Sequence, residues 1–168
     1  MTLFLASCTV LAFSQGRFSV GPELALPMGD FGDQIGMGIG GTVRYEAPIA
    51  DKLNWTVTAG FLSFTEKTED TPLGEVKASA TGIPIQGGVK YYVTESFNGF
   101  YVAGELGVHL YKVKTEVLGE KDDTSETEFS LAPGVGYHLG NIDVAARYQI
   151  AGDGDYIGFR IAYVFGGK

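Results

Sequence analysis

Hydrophobic and polar residues alternate with a period of two along most of the chain from Arg17 to its end. Eight segments carry this alternation, and in each of them one parity is apolar and uncharged. The apolar parities run over residues 18–26, 37–45, 55–61, 83–91, 100–110, 129–137, 142–150 and 157–165. A period of two is that of a β-strand whose two faces meet different environments. The pattern predicts an all-β chain of eight antiparallel strands in up-and-down order.

The opposite parity of these segments is polar and carries charge of both signs. It holds five cationic side chains, five carboxylates and two histidines, at Arg17, Glu23, Arg44, Glu46, Lys90, Glu105, His109, Glu128, His138, Asp143, Arg147 and Arg160. An interior closed to water requires such a balance, because an unpaired buried charge is costly. We therefore predict that these residues form a structural charge network in the lumen of a barrel.

Alternation alone leaves the direction of the two faces open, because a soluble barrel or sandwich would turn its apolar face inward. The lengths of the connections decide between these arrangements. Short connections fall near 47–52, 94–98 and 140–141, and longer ones near 28–35, 66–79 and 112–127, with a brief turn at 152–155. Short turns at one end and long loops at the other are typical of transmembrane β-barrels.

Aromatic residues of the apolar parity gather at the short-turn end of the predicted strands. They are Phe18, Tyr45, Trp55, Tyr91, Phe100, Tyr137, Tyr163 and Phe165. Tyr and Trp favour a membrane interface, because the ring is apolar while its polar tip stays in water. A soluble core has no reason to sort its aromatic residues by strand end. These eight residues therefore predict a membrane-interface girdle, and the apolar parity is predicted to face lipid.

Length, cysteine count and net charge further restrict the possible domain organisation and partners. The chain has 168 residues and a net charge of −8, and it contains one cysteine. One domain fits this length, no intrachain disulfide can form, and the negative charge argues against nucleic acid as a partner. Since the predicted lumen charges balance, the acidic excess falls outside the barrel wall, mostly in the longer loops.

The first fifteen residues, MTLFLASCTVLAFSQ, form a nearly continuous apolar stretch with no basic residue before Arg17. Ala12-Phe13-Ser14 resembles the small-x-small cleavage site of a secretory signal. We interpret 1–15 as the remnant of a signal peptide that lacks its basic start, and 16–168 as a single barrel domain. A lipoprotein lipobox at residues 5–8 and an ordinary first strand or core helix are the alternatives.

Two stretches carry a resemblance to a known family. They are Ile83-Pro84-Ile85 followed by Gly88-Val89-Lys90-Tyr91-Tyr92, and the terminal run from Tyr156 to Phe165. The chain resembles small eight-stranded outer-membrane barrels of the OmpA/OmpX type, and more closely the outer-membrane β-barrel domain proteins common in Bacteroidetes. The resemblance implies location in a bacterial outer membrane. It also implies recognition of the terminal strand by the barrel-assembly machinery, although Gly166-Gly167-Lys168 follows the final Phe165.

The two inward histidines are the candidates for chemistry. His109 and His138 are predicted on neighbouring strands near Glu105 and Glu128, so a metal site or an acid–base pair is one interpretation. The other is that they belong to the lumen hydrogen-bond network. Some small outer-membrane barrels modify lipid A with His and Ser, but no inward or rim serine falls beside either histidine. We expect no catalytic residue, no cofactor and no metal ion.

Barrel size sets the expected function. The interior of eight strands is just wide enough for side chains to fill, and Tyr92, Tyr101 and Tyr111 are among the predicted inward residues. We therefore expect a plugged lumen, anchoring among outer-membrane lipid and lipopolysaccharide, and a surface partner bound by the acidic loops. A small-ligand barrel of lipocalin type, a narrow porin-like channel and a lipid A-modifying enzyme are the alternatives.

Overall fold

The computed structural model describes residues 16–71, 74–94, 96–117 and 120–166. The predicted signal remnant at 1–15 lies outside these residues. The elements in chain order are β1 (Arg17–Pro27), α1 (Gly29–Gln34), β2 (Gly38–Ala50), β3 (Leu53–Thr71), β4 (Gly74–Tyr92), β5 (Gly99–Val117), β6 (Glu120–Leu139), β7 (Ile142–Ala151) and β8 (Tyr156–Phe165). Each strand pairs antiparallel with the next, and β8 pairs with β1 to close the barrel. The predicted eight-stranded up-and-down barrel is confirmed.

The apolar parity faces outward on all eight strands. Phe129 is 68 % exposed, Ile161 58 % and Leu106 57 %, and none of the residues assigned to this parity from sequence is buried. Charged side chains are absent from these outward positions. A continuous apolar surface of this extent is not stable in water but matches the hydrocarbon core of a membrane. The outer wall is therefore a lipid-facing surface.

Two of the predicted long loops are continuous β-hairpins. β3 and β4 remain paired up to Thr71 and Gly74, and β5 and β6 up to Val117 and Glu120. The sequence prediction of loops at 66–79 and 112–127 was wrong because the alternation of apolar residues stops there. Beyond the lipid neither face of a strand needs to be apolar, whereas backbone pairing continues. The parts of β3–β6 at 65–71, 74–81, 112–117 and 120–127 are called the extended sheet below.

The remaining connections differ in kind between the two ends of the barrel. The region 28–35, predicted as a loop, contains α1, and β7 and β8 join through a turn at 152–155. These two connections and the extended sheet lie at one end, the loop end. At the short-turn end, β2 joins β3 through two residues, and β6 joins β7 through Gly140 and Asn141, with Gly140 at φ 59°. No helix among the described residues is long and apolar enough to cross a membrane.

Candidate functional site

The lumen near the short turns is filled by an ionic network that joins distant strands. Lys90 on β4 is 1 % exposed, and its Nζ donates to Glu46 Oε2 on β2 at 3.0 Å and to Asp143 Oδ2 on β7 at 2.6 Å. Its Nζ also lies 3.9 Å from the centroid of the Tyr101 ring on β5. Four strands therefore meet at one buried ammonium group. This inward set follows from strand parity, since each of these residues lies on the polar face.

The network continues into the middle of the lumen around Glu105. Glu105 accepts hydrogen bonds from Arg44 at 2.9 Å, from Arg147 at 3.3 Å and from Thr58 at 2.6 Å. Arg147 also donates to Glu23 Oε1 through Nη2 at 2.6 Å. Glu23, Glu105 and both arginines are at most 8 % exposed. The charges are therefore removed from water and held by one another, which is the condition under which buried ions are tolerated.

The short-turn mouth of the lumen is closed by the connection between β4 and β5. The carbonyl oxygen of Phe97 accepts from Arg17 Nη1 at 3.2 Å and lies 2.9 Å from His138 Nδ1. The Phe97 ring packs edge-on against Tyr92 at 5.7 Å between centroids. Phe97 adopts φ 47°, a conformation uncommon for residues other than glycine. The sequence predicts this segment only as a short connection, and its closure of the lumen was not predicted.

The lumen near the loop end is filled by an apolar cluster. Its buried members are Ala25, Ile35, Leu62, Phe64, Ala80, Tyr111, Ala151 and Tyr156. Phe31 of α1 packs on it, with its ring centroid 5.3 Å from that of Phe64 and 6.0 Å from that of Tyr111. Of these residues, only Tyr111 was named from the sequence as an inward residue. The usable signal was in residues 61–64 (Phe-Leu-Ser-Phe), where both parities carry large apolar residues.

The two histidines lie at opposite ends of the lumen. His109 Nε2 lies 3.1 Å from Tyr156 Oη, whereas His138 bonds Phe97 at the other mouth. In the β5–β6 pairing, His138 lies opposite Gly99. Gly99 is ten residues from His109 on β5, so the two histidines are about 33 Å apart along the strand direction. They cannot share a metal ion or a proton. Among the described residues, no group of three His, Cys, Asp or Glu side chains could hold a metal ion.

A cleft of about 360 Å³ opens at the loop end between α1, β5, β6 and the turn at 152–155. Its lining includes four carboxylates and two aromatic rings, from Asp30, Glu126, Glu128, Asp153, Phe31 and Tyr111. Glu128 was predicted inside the lumen network, but the structure places it in this cleft. The pairing of β6 with β7 ends at Ser130 and Ala151. Glu128 therefore lies on the loop-end side of the last β6 residue that pairs with β7. A lining that combines carboxylates with aromatic rings is suited to cationic groups.

The predicted girdle residues lie on the outer wall at the short-turn end. Phe18 and Tyr45 pack with ring centroids 4.8 Å apart, and Tyr45 and Trp55 follow at 5.3 Å. Tyr163 and Phe165 are 4.7 Å apart on β8, which pairs with β1. The other three, Tyr91, Phe100 and Tyr137, are 49 %, 46 % and 52 % exposed. These exposed rings are placed where the wall would meet the polar headgroups of a membrane.

Residues 1–163 match the family model described as outer membrane protein beta-barrel domain. Ail, the attachment invasion locus protein of Yersinia pestis, aligns with a TM-score of 0.65 and 14 % identity over 89 % of this chain and 97 % of Ail. Ail in complex with the heparin analogue sucrose octasulfate aligns at 0.62 and 15 %, over 89 % and 97 % of the two chains.

A second solved barrel is similar to this chain. The N-terminal β-barrel domain of Pseudomonas aeruginosa OprF aligns with a TM-score of 0.53 and 8 % identity, over 90 % of this chain and 98 % of that domain. The curated protein sequences gave no match. At these identities the structural likeness shows the fold alone.

Proposed function

The chain belongs to the outer membrane protein beta-barrel domain family, and from that premise we propose that it is a closed outer-membrane anchor that presents an acidic cleft to cationic partners. The observation that carries this proposal is the cleft at the loop end. Four carboxylates line it together with the rings of Phe31 and Tyr111, in a space of about 360 Å³. This end of an outer-membrane barrel carries the longer, cell-surface connections.

The filled lumen supports a binding role over transport. A solute would have to pass Phe97 at one mouth, the salt bridges of Lys90 and Glu105 in the middle, and the cluster around Leu62 and Phe64 at the other mouth. Each of these layers is held by hydrogen bonds, salt bridges or apolar packing. Neither a narrow channel nor a lipocalin-like ligand chamber is favoured by such an interior.

The positions of the histidines support a non-enzymatic role. A lipid A-modifying enzyme needs its catalytic groups where they can reach the lipid. His109 and His138 are 0 % and 3 % exposed and point into the lumen, at its two ends. We therefore expect His109→Ala and His138→Ala to leave the structure of lipid A unchanged, as judged by mass spectrometry of extracted lipid.

The charge of the cleft indicates the chemistry of its partner. Lysine and arginine side chains, or polyamines, offer a cation for the carboxylates and for the faces of the rings. Ail has been crystallised with sucrose octasulfate, a polyanion. Because the cleft of this chain is acidic, we expect it to bind ligands of the opposite sign.

The C-terminal strand supports a partner in biogenesis. β8 alternates outward apolar residues with buried inward ones and ends at Phe165, half-exposed beside Tyr163. This is the pattern that the barrel-assembly machinery recognises in the family that the chain resembles, and we propose the same recognition here.

The test of the cleft uses the barrel refolded in lipid vesicles and a fluorescent lysine-rich peptide. Neutralising all four cleft carboxylates as Asp30→Asn, Glu126→Gln, Glu128→Gln and Asp153→Asn should weaken binding about tenfold. This corresponds to a few tenths of a kcal/mol for each partly exposed charge. The control is Asp33→Asn with Glu66→Gln, which neutralises two exposed acidic residues outside the cleft lining.

Three outcomes bear on the proposal. It is supported if the peptide binds the wild-type barrel, the cleft variant loses affinity and the control variant retains it. Because the cleft variant removes four charges and the control two, a loss in the control about half that of the cleft variant would show a diffuse effect of net charge. Absence of binding to the wild type would contradict the proposal directly. Phe31→Leu separates the role of the ring from that of the charges, because it keeps an apolar side chain on the cluster.

A further inference from the structure

The two faces of the extended sheet differ in polarity on its central strands, β4 and β5. The outward apolar residues of the wall end at Ile83 and Leu110, and the next outward positions are polar or charged, at Lys77, Ser79, Thr81, Lys112 and Lys114. The inward positions are apolar apart from one threonine, at Val76, Ala78, Ala80, Val113 and Val117. No strand face has to be apolar above the lipid, so an apolar stripe confined to one face indicates a packing surface.

The strand on one side of this stripe is acidic on the same inward face. β5 and β6 pair without a register shift up to Val117 and Glu120, so the inward row of β6 can be followed to its end. From the lumen upward this row consists of Glu128, Glu126, Thr124, Asp122 and Glu120. On the other side, the inward positions of β3 hold one cation and one carboxylate, at Lys67 and Glu69. The inward face therefore carries two parallel stripes, one apolar on β4 and β5 and one acidic on β6.

The neighbouring elements reach only the base of this face. β7 pairs with β6 no further than Ser130, and Phe31 of α1 packs at the level of Tyr111. Val117 lies six residues above Tyr111 on β5, which is about 20 Å along the strand. α1 has six residues and is about 9 Å long. Within the parts of the chain that the structure describes, α1 therefore covers the base of the face, and the rows above it have no covering element.

The arrangement of the stripes selects the shape of a partner. An extended peptide turns alternate side chains to opposite sides, so it would bring one row of side chains to this face and could not match two different stripes. An amphipathic helix carries its apolar and its charged residues as stripes along its axis. A helix of about 13 residues spans 20 Å. A helix packed on one face of an antiparallel sheet is also a stable layer arrangement in folded domains.

We propose that the inward face of the extended sheet binds an amphipathic cationic helix of a protein partner, with the apolar side of the helix on β4 and β5 and its lysine or arginine residues along β6. This inference rests on the proposed function, because the acidic cleft is the lower end of the same face. Val113 of the apolar stripe and Glu126 of the acidic stripe both line that cleft. The rings of Phe31 and Tyr111 in the cleft would contact the end of the helix.

The experiment compares two fluorescent peptides on the barrel refolded in zwitterionic lipid vesicles. The first is an amphipathic sequence of leucine, alanine and lysine, about 16 residues long so that its helix spans the face. The second has the same composition in an order that distributes the lysines all round the helix. Barrel-free vesicles measure the partition of each peptide into lipid, which is subtracted. We expect the amphipathic peptide to bind the barrel about tenfold more tightly, because only it can bury apolar residues and pair its lysines at once.

Variants of the barrel separate the apolar stripe from the charges. Val76→Ser with Val117→Ser changes two positions that lie opposite each other in the β4–β5 register. This double variant should weaken the amphipathic peptide about tenfold and leave the scrambled peptide unchanged. Ser79→Ala with Thr81→Ala, on the outward face of β4, is the control and should leave both affinities unchanged. Heat-modifiable migration on a gel verifies that each variant is folded, and Val117→Ala alone replaces the double variant if that one does not fold.

The outcomes distinguish this inference from the proposed function. Tighter binding of the amphipathic peptide, lost in the valine variant and kept in the control, supports a docked helix. If the two peptides bind equally and only the cleft carboxylate substitutions weaken them, the cationic cleft stands and the docked helix is wrong. If neither peptide binds the wild-type barrel, both are wrong. An amphipathic peptide that binds the valine variant as tightly as the wild type would also contradict the docked helix.

Discussion

The two halves of the lumen are filled by different kinds of side chain, although the same eight strands form both. Near the short turns, Lys90, Glu46 and Asp143 hold one another by salt bridges of 2.6 to 3.0 Å. Near the loop end, Leu62 and Phe64 pack with other apolar side chains beneath α1. In the first half each buried group depends on a particular partner on another strand. In the second half, stability depends on filling the space with apolar side chains, and not on particular partners.

This difference determines how each half should respond to substitution. Removing one partner of a buried ion pair leaves the other charge without compensation. Removing part of an apolar side chain leaves a cavity, and the loss depends on how far the surroundings can relax. The ionic half should therefore be sensitive to changes that barely alter volume, and the apolar half to changes of volume alone.

The largest effect is expected for Glu105→Gln. The change keeps the size of the side chain but leaves Arg44 and Arg147 facing a neutral amide. We expect a loss of about 3–5 kcal/mol in the free energy of unfolding, measured by urea titration in lipid vesicles. Glu128→Gln, the same change in the loop-end cleft, should alter it by less than about 0.5 kcal/mol. Similar losses at both positions would remove the distinction between lumen and rim.

In the apolar half, Leu62→Ala should show the cost of lost volume. Leu62 is fully buried in the cluster with Phe64 and Tyr156. Truncation should cost about 2–5 kcal/mol, in the range found for buried leucines. Ser63→Ala, at the next position and on the exposed face, is the control and should change stability by less than about 0.5 kcal/mol. A small loss at Leu62 would mean that this half is loosely packed.

The two halves also differ in how well they can be predicted from sequence. The residues of the ionic half can be predicted from strand parity. Where one face of a strand is apolar and meets lipid, the polar side chains of the other face must point into the lumen. The residues of the apolar half cannot, because Leu62 and Phe64 lie on the parity that elsewhere is polar. Their burial depends on Phe31 in α1 and on Ile35, which directly follows α1, and the sequence shows no capping or periodic signal for a helix of six residues.

The ends of the barrel were the least predictable part. A pattern of period two reports strands only where the two faces meet different environments. That condition fails above the membrane, so the extended sheet was interpreted as loops and Glu128 as a lumen residue. At the other mouth, the inward position of Phe97 depends on a positive φ and on bonds to Arg17 and His138. No local signal marks those contacts.

Both halves of the lumen lie behind the same lipid-facing wall. Leu106→Arg tests this, because Leu106 is 57 % exposed near the middle of β5. We expect a loss of about 2–4 kcal/mol in vesicles, as for a cation at the bilayer midplane. Val93→Arg, at the short-turn end of the same wall, should cost about 0–1 kcal/mol because it lies near the interface. Equal costs at the two depths would contradict the proposed membrane position.

The smallest and most direct contrast comes from removing one tyrosine hydroxyl in each half. Tyr101 donates to Asp143 at 2.8 Å in the ionic half, and Tyr111 donates to the Gly154 carbonyl at 3.0 Å in the apolar half. Both rings are at most 6 % exposed. Tyr101→Phe should cost about 1.5–3 kcal/mol because the lost bond is to a charged group, and Tyr111→Phe about 0.5–1.5 kcal/mol. Since the two changes remove the same atom, the difference between them measures the dependence of each half on polar partners. Equal losses would mean that the loop-end half also relies on its hydrogen bonds, and that packing alone does not close it.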